Sequence, residues 1–134
     1  MPPNKSIPGS PQDWLDRAKG NLALAKTKKP AEAFWEDLCF DAQQAAEKAL
    51  KAVLLYHGIE FAYVHDLEVL LTTLDENGVD TPEAVRESAL LTEYAVDARY
   101  PGGKEPVTEQ EYHTAVHIAE EVVLWADSII NATK

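Results

Sequence analysis

The sequence contains a single cysteine, Cys39, and no long apolar run. One cysteine excludes an intrachain disulfide framework and indicates a reducing compartment, so we expect a cytoplasmic protein. A membrane-spanning helix needs about 20 predominantly apolar residues, and no stretch of the chain provides them. The first ten residues carry three prolines and no apolar core, which is not the pattern of a signal peptide. We therefore expect residues 1–10 to be a disordered lead-in and residues 11–131 to form one domain.

Positive charge is also scarce. The chain has 12 Lys and Arg residues against 23 Asp and Glu residues, a net charge of −11. Residues 1–67 hold 8 basic against 9 acidic side chains, whereas residues 68–134 hold 4 against 14, so the acidity lies in the second half. Such a surface repels phosphates, which excludes a nucleic-acid binder driven by electrostatics. If the chain acts on RNA, we expect the RNA to be a substrate and not a stably bound partner. A basic protein is an alternative partner.

No segment alternates polar and apolar residues with the period of a strand, whereas helical periodicity recurs along the chain. Cap residues, prolines and glycines divide the chain into five helical segments: 11–28, 31–57, 66–77, 81–100 and 109–131. A full capping box, Thr108 with Glu111, opens the last of them. The pattern predicts an all-α fold, an up-and-down antiparallel helical bundle of four main helices plus a shorter fifth.

The second segment is the longest and has two different faces. One face is an apolar stripe with the spacing of a buried helix side: Trp35, Leu38, Cys39, Ala42, Ala46, Ala49 and Val53. Its small alanines would let neighbouring helices approach closely. The other face is a polar row: Asp37, Asp41, Gln44, Lys48 and Lys51. The row is either a solvated surface or part of a binding site, and the sequence alone leaves both interpretations open.

Most familiar catalytic patterns are missing. His113 and His117 are spaced to face the same way on a helix, but the ligands of a zinc site are incomplete, so we expect no metal and no bound cofactor. No glycine-rich loop leads into Lys-Ser or Lys-Thr, and no serine sits in a strand-to-helix elbow. Arg99 and Tyr100 precede a proline at the end of the fourth segment. Arg99 either caps that helix or binds an anion opposite the polar row.

Three motifs together resemble a known family. The run CFDAQQAAEKALKA from Cys39, then His65-Asp66-Leu67, then Arg99-Tyr100-Pro101, resembles the HEPN family (higher eukaryotes and prokaryotes nucleotide-binding domain). The resemblance implies a helical bundle that is often a homodimer. It also implies pairing with a small nucleotidyltransferase-fold protein, as in toxin–antitoxin-like systems. Depending on the branch, it implies either RNA cleavage or nucleotide binding.

The ribonuclease branch of that family carries an Arg followed, after four to six residues, by a His, and this chain lacks the spacing. No histidine stands at those positions after Arg17, Arg86 or Arg99. The resemblance therefore favours a non-catalytic subunit that binds a nucleotide or a partner. The residues expected at the nucleotide site are Gln44, Glu47, Lys48, Lys51, His65, Arg99 and Tyr100.

Two alternatives remain open from the sequence. The first is a metal-independent ribonuclease that uses Arg99 with His113 or His117, in which the histidine would transfer a proton and the arginine would stabilise developing charge. The second is a purely structural bundle that only covers the apolar face of another protein. The two differ in whether RNA is cut.

Overall fold

A computed structural model describes residues 6–95 and 106–132 of the chain, and the regular elements in these ranges are all helical. In chain order they are α1 (Pro11–Ala25), α2 (Trp35–Tyr56), α3 (Leu67–Glu76), α4 (Glu83–Arg86), a 3₁₀ segment (Glu87–Ala95) and α5 (Glu109–Ile130). The predicted all-α, up-and-down bundle is confirmed. No helix in the described part of the chain has both the length and the apolar character that a bilayer crossing requires.

Local cap chemistry fixes where the helices begin. The Ser10 hydroxyl accepts a hydrogen bond from the Asp13 backbone N–H at 3.2 Å and caps α1. The predicted capping box of α5 is present, since Thr108 Oγ1 accepts from the Glu111 N–H and the Glu111 carboxylate accepts from the Thr108 N–H. At the end of α2, Gly58 takes a φ of +70°, a left-handed conformation that glycine adopts at little cost.

Helix α2 lies at the centre of the bundle, where it packs against α1, α3, α5 and the 3₁₀ segment. The alanines on its apolar stripe are fully buried, as predicted for close helix contacts. The helix begins at Trp35, four residues later than the prediction of 31–57, because Phe34 is the N-cap and its backbone N–H donates to the Asp37 carboxylate at 2.9 Å. Residues 30–33 form a turn instead, which a backbone hydrogen bond closes.

The fourth predicted helix differs from the structure. Only Glu83–Arg86 is α-helical, and the chain then continues as a 3₁₀ segment through Ala95. A 3₁₀ helix repeats every three residues, so Val85, Ser88 and Leu91 share the buried side. Leu90, one position before Leu91, is 67% exposed. The prediction was wrong here because the period changes from 3.6 to 3.

Helix α5 packs one side against the bundle. Ala115, Ile118, Ala119 and Val122 are buried there, whereas Val116 is half-buried. The Tyr112 hydroxyl donates to the backbone carbonyl of Ala25 at 2.6 Å and so joins α5 to the C-terminal end of α1. The ring of Tyr112 also packs against Trp35, with centroids 4.8 Å apart.

Candidate functional site

A buried polar network lies on α2 beside the predicted polar row, and Glu47 is at its centre. One carboxylate oxygen, Oε2, accepts a hydrogen bond from Lys51 Nζ at 2.8 Å, and the other, Oε1, accepts from Gln43 Nε2 at 2.9 Å. Gln43 is fully buried, and only 5% of the Glu47 side chain and 7% of the Lys51 side chain are exposed. Within the predicted polar row, Lys51 is buried, Asp41, Gln44 and Lys48 are half-buried, and Asp37 is exposed. The row is therefore solvated at its N-terminal end and covered at Lys51.

His65 completes the network from residues 57–66, which we call the connector between α2 and α3. Its Nδ1 lies 3.0 Å from Glu47 Oε1 and 3.3 Å from Oε2, and Gln43 Nε2 donates to the His65 backbone carbonyl at 3.3 Å. Gln44 Nε2 donates in turn to Gln43 Oε1 at 2.7 Å. The His65 side chain is 64% exposed. Because a neutral imidazole that donates from Nδ1 accepts through Nε2, His65 offers a ring nitrogen to solvent beside a buried carboxylate.

Two aromatic rings flank the Lys51 ammonium. Nζ lies 5.8 Å from the centroid of the Trp14 ring on α1 and 6.0 Å from that of Phe61 on the connector. Both rings are within the range of a cation–π attraction, which strengthens when water is excluded. The ion pair with Glu47 and the contacts with these two rings together explain how a lysine on α2 can be buried inside the bundle.

Lys48 faces α1 and has a different environment. Its Nζ donates to Asn21 Oδ1 at 2.7 Å, a neutral partner on α1. Burial lowers the pKa of Lys48, and the nearby positive charge of Arg17 lowers it further, although Glu47 and Asp41 act in the opposite direction. Lys48 is half-buried, with positive charges from Arg17 and Lys51 and negative charges from Glu47 and Asp41 nearby.

The pKa of Glu47 reflects competition between burial and hydrogen bonding. Burial alone would raise it, but the hydrogen bonds from Lys51, Gln43 and His65 outweigh that effect and hold the pKa of Glu47 below its ordinary value. Asp41, one turn before Gln44 and Ala45, shows the opposite balance, because burial raises its pKa despite the Asn21 amide. The network is thus centred on an ionised Glu47.

The structure brings together most of the residues predicted for the nucleotide site. Gln44, Glu47, Lys51 and His65 belong to one hydrogen-bonded network, and Lys48 lies beside it on the side of α1. Arg99 and Tyr100 lie outside the described residues. Their predicted position opposite the polar row therefore stays a prediction.

The histidines of the ribonuclease alternative lie elsewhere. His113 and His117 are on the exposed side of α5, and His113 Nε2 is 3.3 Å from the Glu109 carboxylate one turn earlier. The partners of the Glu47 carboxylate described above come from α2 and the connector, not from α5. Within residues 6–95 and 106–132, no cluster of three His, Cys, Asp or Glu side chains is arranged to hold a metal ion.

Sequence reasoning missed four participants: Gln43, Asn21, Trp14 and Phe61. Gln43 was within reach of inference, since it precedes Glu47 by one helical turn and a Gln–Glu pair at that spacing makes side-chain contact. Asn21, Trp14 and Phe61 carried no comparable signal. Their contacts depend on how α1 and the connector pack against α2, which the local sequence does not encode.

Comparison with known proteins identifies the fold and the family. Residues 11–129 match the family model of the HEPN domain. The crystal structure of TT1696 from Thermus thermophilus is 33% identical, with a TM-score of 0.74 over 88% of this chain and 96% of that chain. The crystal structure of ST0689, an archaeal HEPN homologue, is 26% identical, with a TM-score of 0.72 over 90% of this chain and 98% of that one. No curated protein matches the chain.

Proposed function

Since the chain belongs to the HEPN domain family, we propose that it is a non-catalytic subunit that binds a nucleotide and works with a small nucleotidyltransferase-fold protein in a toxin–antitoxin-like pair. The observation that carries the nucleotide part is the polar network around Glu47, which gathers the expected residues on one side of α2. The homodimer and the nucleotidyltransferase partner come from the family resemblance.

Lys48 supports phosphate binding at this site. Its pKa is lowered by burial and by Arg17, and its direct hydrogen bond goes to a neutral amide oxygen. A phosphate beside it would supply the negative charge that this position favours. Lys51, by contrast, is already neutralised by Glu47 and shielded by rings, so it orients the carboxylate instead of meeting a ligand.

His65 supports recognition at the edge of the same site. Glu47 fixes its Nδ1 and Gln43 fixes its backbone carbonyl, so the exposed Nε2 points from a rigid support. A fixed imidazole can accept a hydrogen bond from a ribose hydroxyl or a base amino group, or donate one to a phosphate when protonated. The role of His65 in the proposal is to orient a bound nucleotide.

The absence of the Arg-to-His spacing supports binding over cleavage. The spacing is missing from the sequence, and the histidines that would replace it lie on α5, away from the hydrogen bonds of Glu47. The Glu47 carboxylate is also fully engaged by groups of the chain itself. An engaged carboxylate is not free to act as a general base, so both observations weigh against RNA cleavage at this site.

Isothermal titration with ATP, GTP and CTP tests the nucleotide part. We expect saturable binding of at least one of them, weakened about tenfold by Lys48→Met and by His65→Ala, since each loses a hydrogen bond to a charged group. Matched controls are Lys19→Met, whose Nζ pairs with Asp127 on the surface, and His113→Ala on α5. Absence of binding to all three nucleotides refutes the nucleotide part.

Co-expression tests the partner part separately. The chain is expressed with the product of the neighbouring gene, and the mixture is purified through a tag on one of the two proteins. We expect the two to purify together, and light scattering of the chain alone to give the mass of a dimer. Purification of a lone monomer under both conditions contradicts the partner and dimer parts without affecting the titration result.

A further inference from the structure

A concave surface lies at the C-terminal end of α2, and the Glu47 carboxylate is not part of its lining. This cavity has a volume of about 530 Å³ and is lined by Leu55, Gly58, Ile59, Glu60, Phe61 and Tyr63. We refer to it as the α2-end cavity. Neither the predicted nucleotide site nor the network around Glu47 uses its glutamate or its tyrosine.

Aromatic rings form one side of the α2-end cavity. The centroids of Phe61 and Tyr63 are 6.2 Å apart with the rings tilted by 58°, and Tyr63 is 92% exposed. Such a ring attracts cations to its face. Phe61 already lies 6.0 Å from the Lys51 ammonium of the same chain, so the ring of Tyr63 is the one open to a cation from outside.

The remaining charges at the α2-end cavity are negative. Glu60 contributes a carboxylate to the lining. Helix α2 ends here with no basic side chain in its last turn, and its carbonyls at Val53, Leu54 and Leu55 accept hydrogen bonds from the backbone that follows. The Glu60 carboxylate attracts a cation and repels a phosphate, which distinguishes this surface from the site near Lys48.

We propose that the α2-end cavity binds the guanidinium group of an arginine on a partner protein. A guanidinium is planar, stacks on an aromatic ring and pairs with a carboxylate through two parallel hydrogen bonds, so Tyr63 and Glu60 match it better than an ammonium. The net charge of −11 attracts a basic partner to the chain at long range, although residues 1–67, which include this cavity, contribute only −1 of it. This inference rests on the partner-binding half of the proposed function and deepens it by naming the chemistry of the contact.

The test is a titration followed by ¹⁵N–¹H correlation NMR on the full chain. The probes are N-acetyl-arginine amide, N-acetyl-lysine amide and N-acetyl-glutamate amide. We expect the arginine probe to give saturable shifts confined to residues 55–63, the lysine probe to bind more weakly, and the glutamate probe to leave these residues unchanged. Tyr63→Ala and Glu60→Gln should each weaken the arginine probe about fivefold, the equivalent of about 1 kcal/mol.

Matched controls are Phe34→Ala, an exposed aromatic residue at the other end of α2, and Glu76→Gln at the end of α3. Neither should change the affinity. Absence of shifts with the arginine probe, equal or tighter binding of the lysine probe, or saturable shifts of residues 55–63 with ATP each overturn the proposal. A co-expressed partner that binds Tyr63→Ala as tightly as the unaltered chain also overturns it, while leaving the proposed function standing.

Discussion

The Glu47 carboxylate and the Lys51 ammonium lie one turn apart on α2 and are joined at 2.8 Å with almost none of either side chain exposed. A pair at this spacing on a helix surface contributes only a few tenths of a kcal/mol. In the interior, the energetic balance between desolvation and attraction differs from that at the surface. Each buried charge has lost its hydration, so removing one partner leaves the other uncompensated. The pair therefore specifies the arrangement of α2, the connector and Trp14 more than it raises overall stability.

The first prediction concerns Lys51. Lys51→Met leaves Glu47 buried without its cation, so we expect a loss of about 3–5 kcal/mol in the free energy of unfolding. The double variant Glu47→Leu, Lys51→Met removes both charges and should recover most of the loss. Urea denaturation followed by circular dichroism measures both. The control is Lys26→Met, whose exposed pair with Glu120 contributes about 0–1 kcal/mol.

The second prediction concerns acid stability. Because the folded pKa of Glu47 is below its ordinary value of 4.5, the unfolded chain binds a proton more readily than the folded chain. This contribution is fully present above the ordinary value and is lost as the pH falls through the lower folded value. We expect the free energy of unfolding of Glu47→Gln to decrease less steeply on acidification than that of the unaltered chain.

Asp41 acts in the opposite sense, because its raised folded pKa favours the folded chain as the pH falls. Comparing Glu47→Gln with the unaltered chain keeps Asp41 constant in both proteins. Parallel curves of unfolding free energy against pH would contradict the assignment of Glu47 as an ionised buried carboxylate.

The third prediction concerns the close packing of α2. Ala46 is fully buried, so Ala46→Leu should lower the free energy of unfolding by about 1–3 kcal/mol through overpacking. Ala23→Leu, on the exposed side of α1, is the matched control and should have little effect. Equal denaturation midpoints for the two variants would show that Ala46 does not lie in a close contact between helices.

The fourth prediction concerns two hydroxyls of the 3₁₀ segment. Ser88 Oγ is buried and has no hydrogen-bond partner among the described residues, whereas Thr92 Oγ1 accepts from the Leu67 N–H at 3.0 Å. We expect Ser88→Ala to raise the free energy of unfolding by about 1 kcal/mol, because it removes an unsatisfied polar group. Thr92→Val should lower it by about 1–3 kcal/mol, because the Leu67 N–H loses its acceptor. If both substitutions changed the free energy of unfolding in the same direction, the assignment of Ser88 as unpaired and Thr92 as paired would be contradicted.

The sequence predicted the ends of helices correctly where a cap residue or a glycine determines them. Ser10, Thr108 and Gly58 mark helix ends through their own side chains or backbone freedom, and the structure places the ends there. The change from α to 3₁₀ geometry after Arg86 has no such local marker. It depends on how residues 87–95 fit between α2, α3 and α5, which is a property of the assembled bundle.

The candidate site was predictable to the extent that it lies on one helix. Gln44, Glu47, Lys48 and Lys51 recur at helical spacing, so their shared side followed from periodicity. The burial of that side did not follow, because Trp14 and Phe61 cover it from elements distant in the chain. A polar row is solvated on an edge helix and buried on a central one, and only packing distinguishes the two.

The hydrogen bond between the Leu67 N–H and Thr92 has a kinetic consequence. The first amides of a helix have no partner within the helix, so they exchange their protons with solvent rapidly. Leu67 is the first residue of α3, yet its amide is held by the 3₁₀ segment. The exchange rate of this one proton therefore reports how often the 3₁₀ segment separates from α3, two residues after the histidine that contacts Glu47.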